Sequence, residues 1–216
     1  SPSRGLGDVY KRQIQHTVTP NDGILEVELE CIRPDMEIHY TTDGSEPTAT
    51  SPLYERKVPV KETLTLKSAT FAQGRQMGKT LILPVRWNLA TAKPVLGINP
   101  AEKLLTNGIR GSLKYSDFEW CSWTNNDSVS FTIDLLKPEV LNTLTLGCIT
   151  NNGMAIHKPA SVKVEVSDDN SNFREAAMQS FTPEEIFREG NFIENLPLKL
   201  GGTQGRYVRV LSLIHI

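Results

Sequence analysis

Apolar and polar positions alternate along much of the chain. Over residues 23–33 (GILEVELECIR), Leu25, Val27, Leu29 and Cys31 fall on one face, with Glu26, Glu28 and Glu30 on the other. A period of two marks a half-buried strand, because successive side chains leave opposite faces of a sheet. Met36, Ile38 and Tyr40 repeat the pattern against Glu37, His39 and Thr41. Residues 41–47 (TTDGSEP) then predict a turn, with Asp43-Gly44 supplying positive φ and Pro47 stopping ladder pairing. Further strands are expected over residues 63–71 and 80–87.

Residues 88–94 (NLATAKP) are polar, small and closed by proline, which suggests a boundary. Beyond it the alternation resumes in Val129, Phe131, Ile133 and Leu135, in Leu144, Leu146 and Cys148, and in Val162, Val164 and Val166. A last strand begins at residues 207–210 (YVRV). One helix start stands out: Thr182-Pro183-Glu184-Glu185 combines an N-cap threonine, proline at the first position and a capping-box glutamate. Gly190 keeps that helix short. Short strands separated by turn signals point to β-sandwiches, and the two halves share no repeat. The chain is therefore expected to be all-β, with two different domains.

Composition narrows the function classes. The 216 residues are 38% hydrophobic and 22% charged, which fits neither a disordered nor a membrane-spanning chain. No apolar run reaches the about 18–20 residues of a transmembrane helix. Lys and Arg number 23 against 25 Asp and Glu, so the basic stripe of a nucleic-acid binder is missing. Residues 1–13 (SPSRGLGDVYKRQ) resemble translated sequencing-adaptor sequence, and residues 211–216 (LSLIHI) resemble its counterpart. Both are expected to be non-native tails on a piece of a longer protein.

Residues 38–48 (IHYTTDGSEPT), 51–54 (SPLY) and 64–71 (LTLKSATF) resemble the chitobiase/β-hexosaminidase C-terminal domain, which implies an immunoglobulin- or fibronectin-like sandwich over residues 14–89. After a linker at 90–94, residues 95–210 resemble the coagulation-factor 5/8 type C (discoidin-like) jelly roll of family 32 carbohydrate-binding modules. The residues that carry this likeness are 105–111 (LTNGIRG), Trp120, 129–135 with Lys137-Pro138, 159–162 (PASV), 166–173 (VSDDNSNF) and 206–210 (RYVRV). Trp120 matches a tryptophan that such folds keep in the core. The resembled fold continues past its Tyr-Val-Arg-Val strand, so a truncated last strand and an exposed edge beside residues 206–210 are expected. The order of the two domains resembles the region after the barrel of bacterial glycoside hydrolase family 20 β-N-acetylhexosaminidases.

Adjacent carboxylates occur at Asp168-Asp169 and Glu184-Glu185, but neighbours in a turn or first helical turn diverge and cannot converge on one glycosidic bond. The four histidines are scattered, so no zinc or triad spacing arises. Sugar sites stack aromatic faces on C–H surfaces and add a few polar groups. Residues 115–127 (YSDFEWCSWTNND) are the most aromatic stretch, which makes Phe118, Trp123, Asn125 and Asn126 candidate sugar contacts; core packing and a solvated turn compete with that reading. Asn152, His157 and Lys158 of the loop at 151–158 are the second set, with ordinary surface positions as the rival. The resemblance also implies a structural calcium near Asn107, where family members usually carry Asp. Of Cys31, Cys121 and Cys148, the last two lie in one domain and could pair.

These readings converge on an accessory piece of a secreted or periplasmic bacterial glycosidase, with no turnover of its own. Its expected partners are a glycan and the parent's catalytic domain in cis. A structural buttress for that domain and a cell-surface adhesion module are the alternatives.

Overall fold

Among the residues that the computed structural model describes (13–97, 99–123 and 128–213), strand is the dominant element. The chain divides into two units, the first reaching Ala92 and including Asn107–Ile109, the second taking Lys93–Thr106 and Arg110–Ile216.

The first unit begins with β1 (Ile14–Asn21), antiparallel to β2 (Ile24–Cys31). Asp22 and Gly23, both at positive φ, make the two-residue turn between them, the geometry that matches strand twist. Then come β3 (Glu37–Thr41), β4 (Val58–Val60), β5 (Leu64–Ala72), β6 (Arg75–Gln76) and β7 (Leu81–Val85). One sheet runs β1-β2-β4; in the other, β5 pairs with β3, β6 and β7. The alternation in β2 does what its pattern predicts: Leu25, Val27 and Leu29 turn inward to meet Val58, Val60, Leu66, Leu83 and Val85. Strand β1 had no comparable signal, since only Ile14 and Val18 of its eight residues are buried.

The second unit contains β8 (Val95–Leu96), a 3-10 turn over Pro100–Thr106, β9 (Ser128–Asn151), β10 (Ser161–Ser167), β11 (Arg174–Ser180), the short helix α1 (Pro183–Ile186) and β12 (Asn191–Leu213). The sheet order is β11-β10-β12-β9-β8. The expected capping box is present: Thr182 Oγ1 accepts from the Glu185 amide, and Glu185 Oε2 accepts from the Thr182 amide at 2.7 Å. Strands β9 and β12 pair along nearly their whole lengths. The register shifts at Lys199/Thr203 and Gly205/Tyr207, and Leu136, Gly201 and Gly202 take positive φ there. Such bulges bend a long ladder without ending it. Val162, Val164, Val166, Leu196, Leu198, Val208 and Val210 fill the core.

The exposed edge expected beside residues 206–210 is not there. Val208 and Val210 pair with Val166 and Val164 of β10 on one side and with Ile133 and Phe131 of β9 on the other. Strands earlier in the chain flank this segment, so it lies inside the sheet and needs no later partner. Leu211, Ser212 and Leu213, expected to be part of a non-native tail, continue the same ladder on both sides. The N-terminal tail at 1–12 lies outside the described residues.

Candidate functional site

Two loops of the second unit carry the candidate contacts. In the first, Asp117 fastens its own turn: Oδ2 accepts from the Ser112 amide at 2.6 Å and Oδ1 from the Glu119 amide at 2.9 Å. Trp120 Nε1 donates to the Ser112 carbonyl at 2.9 Å. A Cβ on Gly111 would fall 2.3 Å from Trp120 Cε2, so the indole lies directly against that glycine. Trp120 is thus half-buried within its own loop. Between these fastenings Phe118 sits at φ 65° with 89% of its surface exposed. A bulky residue in the left-handed region is uncommon, and such strain persists where surrounding contacts enforce it.

Trp123 is placed differently. It is half-buried and stacked on Phe131 of β9, with centroids 6.0 Å apart and planes 9° from parallel. One face of its ring is therefore taken. Asn125 and Asn126 lie outside the described residues.

The second loop leaves β9 at Asn151, makes a 3-10 turn over Asn152–Met154 and passes through Ala155 at φ 55°. Asn152 Oδ1 accepts from the Gly190 amide at 2.5 Å, and the Asn152 amide donates to the Gly190 carbonyl at 3.3 Å. Asn191 opposes Asn151 in the ladder, and its Nδ2 donates to the Leu113 carbonyl at 3.4 Å. Gly190 and Asn191 therefore bring the two loops to one end of the β9/β12 pair. Sequence reasoning had proposed the loops but not this link, which no local pattern encodes.

His157 packs edge-on against Phe187, centroids 5.1 Å apart, and its buried Nδ1 has no hydrogen-bond partner among the described residues. Lys158 is only 6% exposed. Its ammonium lies 3.4 Å from Glu194 Oε2 and 4.5 Å from the centre of the Phe181 ring. Arg188 approaches the other Glu194 oxygen at 3.8 Å. So Phe118, Asn152, His157 and Lys158 share an end of the unit, while Trp123 stands at the far end of the same ladder.

Cys121 and Cys148 are not joined, so the conceivable 121–148 bridge is absent. Burial pushes the Cys121 and Cys148 thiols up to about 12, with Glu102 and Glu194 respectively adding to the effect. Asn107 belongs to the first unit, where its Oδ1 accepts from the Ile109 amide at 3.0 Å. The next residue, Gly108, has φ 74°, and a Cβ there would meet Val85 Cγ1 at 3.0 Å. No group of three His, Cys, Asp or Glu gathers as metal ligands among the described residues, and no helix there is long and apolar enough to cross a membrane.

With its second unit matched over residues 94–214 by the F5/8 type C domain model, the chain belongs to that family. Residues 20–81 match the chitobiase/beta-hexosaminidase C-terminal domain. No curated protein matches the chain. Among solved structures it is similar to the C-terminal domain of a chitobiase from Bacteroides fragilis, at 16% identity and a TM-score of 0.29, covering 40% of this chain and 51% of that one. It is also similar to CpGH89CBM32-6 of Clostridium perfringens, at 19% identity and a TM-score of 0.41, covering 60% of this chain and 90% of that one. A third similar structure, titled a glycoside hydrolase, shares 10% identity at a TM-score of 0.29, covering 93% of this chain and 57% of that one. The chain thus spans about half the length of the first of these proteins and somewhat more of the third.

Proposed function

We propose that the chain is a non-catalytic accessory piece of a secreted bacterial glycosidase, and that its second unit binds carbohydrate at the end where Asn151 and Asn191 meet. The observation that carries this reading is Phe118: an aromatic ring 89% exposed, held out in the left-handed region by the Asp117 fastenings. Presenting a hydrophobic face to water gains nothing for folding, whereas a sugar C–H surface laid on it recovers the burial. Asn152 lies in the neighbouring loop, ready to supply polar contacts. The pairing of the two matched domains supports a β-N-acetylhexosaminidase as parent and its catalytic domain as the partner in cis.

The test is a glycan array with the wild-type chain and Phe118→Ala. Losing the buried ring face costs about 1.5–3 kcal/mol, so affinity for bound glycans should fall at least about tenfold. Equal binding by both proteins would remove Phe118 from the site, and no binding by the wild type would sink the reading.

One observation favours a second reading. Leu113 and Met154 are each about half exposed on the same two loops, an apolar character that suits docking against a catalytic domain. A longer chain that includes the upstream domain would then protect these loops from proteolysis, and the isolated unit would bind no sugar. For the calcium implied at Asn107, the donor is a neutral amide oxygen already accepting from Ile109, which fits a calcium ligand poorly. Melting with and without a chelator tests that proposal.

A further inference from the structure

The sequence holds two Asn-Gly pairs, Asn107-Gly108 and Asn152-Gly153, and the fold treats them in opposite ways. In such a pair the glycine nitrogen can reach the carbonyl carbon of the preceding side chain and close a succinimide ring, because glycine sets no Cβ beside it and turns freely. Asn107 is 1% exposed, and its Oδ1 accepts from the Ile109 amide. Gly108 is wedged in place: its carbonyl accepts from the Arg86 amide at 2.9 Å, and its Cα lies against Val85 and Leu25. Turning either residue would break these contacts, and water has no access to the amide.

Asn152-Gly153 has the opposite surroundings. The pair opens the 3-10 turn over Asn152–Met154, and Gly153 is exposed. As an early residue of that turn, Gly153 has an amide with no acceptor inside it, so the nucleophile is not tied up there. The Ala155 amide, donating to the Asn152 carbonyl at 3.0 Å, closes the turn, and so short a turn on the surface opens readily. The side chain is also activated. Asn152 Oδ1 accepts from the Gly190 amide at 2.5 Å, and this is the oxygen on which negative charge gathers when its carbonyl is attacked. A backbone donor already aimed at that oxygen stabilises the developing charge. Asn152 Nδ2, the leaving nitrogen, takes no part in the contact. We infer that Asn152 is a self-modification site. The Gly153 nitrogen gives its proton to hydroxide and bonds to Asn152 Cγ; the Cγ–Nδ2 bond breaks, and Nδ2 takes a proton from water and departs as ammonia. Water then opens the succinimide at either carbonyl, leaving aspartate or isoaspartate. Both products put a carboxylate into a neutral turn, and isoaspartate reroutes the main chain through Cβ and Cγ.

The test incubates the whole chain, folded and in denaturant, in mildly alkaline buffer. Peptide mass mapping and isoaspartate detection follow both pairs, conversion being read as the mass gained when NH2 gives way to OH. In the folded chain Asn152 should convert at least about tenfold faster than Asn107, and in denaturant the two rates should come together. Gly153→Ala should slow the conversion of Asn152 at least about tenfold. It should leave folding intact, because the added Cβ would meet Asn151 Oδ1 at an ordinary 3.5 Å and Gly153 is not at positive φ. Equal rates at Asn107 and Asn152 in the folded chain would overturn the inference. So would an Asn152 that reacts in denaturant but not in the fold, or undiminished conversion in Gly153→Ala.

Discussion

The loop that follows β3 in the first unit and the loop that precedes β9 in the second are both rich in polar residues, yet they end differently. The single aromatic ring of the first, Tyr54, packs edge-on against Tyr40 of β3. Its polar groups are spoken for as well: Asp43 accepts from Ser45, Glu46 from Lys67 and Thr80, and His39 Nδ1 pairs with the Ser51 carbonyl at 2.6 Å. In the second, Asp117 and Trp120 fasten the loop, yet Phe118 is left in solvent. The distinguishing feature is hydrogen bonding spent on holding an apolar ring outward rather than on covering it.

The strongest way to break this comparison is to disturb the frame beneath the second pair of loops. Gly205 lies at a register shift of β12, and a Cβ there would stand 2.2 Å from Val166 Cγ1 and 3.2 Å from the Ser167 carbonyl. Gly205→Val should cost about 3 kcal/mol and lower the melting temperature of the second unit by about 10 °C or more. If binding rests on that frame, it should be lost together with the fold. A melting shift below about 2 °C would show that β10 and β12 can part there at little cost.

A smaller effect comes from the Asp134 and Arg206 pair, which joins β9 to β12 with contacts of 2.7 and 2.9 Å. The Arg206 guanidinium holds the Asp134 carboxyl below its ordinary 3.8. A depressed folded value means that this stabilisation is complete above the ordinary pKa and is lost as pH falls through the folded one. Asp134→Asn should therefore cost about 1–2 kcal/mol at pH 7 and flatten the acid limb of the stability profile below about pH 4. An unchanged acid limb in urea titrations would assign the acid sensitivity to other carboxylates.

How much of this was legible follows from where each signal resides. The strict alternation of Leu25, Val27 and Leu29 sufficed for β2, and the Thr182 capping box for α1, because each is complete within a few residues. Strand β1 was not legible, since Thr17, Thr19 and Pro20 dilute its two buried positions. Nor was the length of β9 and β12, which run on past Lys137-Pro138 and Gly201-Gly202 by bending there. The polar sequence of β11 hides an edge strand, which packing has no need to make apolar. For the site, Phe118 and Asn152 could be singled out from loop composition. Asn191, Gly190 and Leu113 could not, because their roles arise from contacts between residues far apart in the chain.

The finest test sets two aspartates side by side. Asp43 and Asp117 each accept hydrogen bonds within their own turn, Asp43 from the Ser45 amide at 3.0 Å and its hydroxyl at 2.6 Å. Those bonds hold the exposed Asp43 carboxyl below the usual range, and replacing it by alanine removes a local turn contact and nothing else. Asp117 has the same chemistry with a different consequence, because its two acceptors fix the backbone on either side of Phe118. Asp117→Ala should leave the melting temperature within about 2 °C, yet weaken glycan binding about two- to tenfold, the cost of ordering one freed side chain and its turn on each binding event. Asp43→Ala should leave binding unchanged. Equal effects of the two substitutions would mean that Phe118 is not held for a ligand, and the contrast between the two loops would lose its functional meaning.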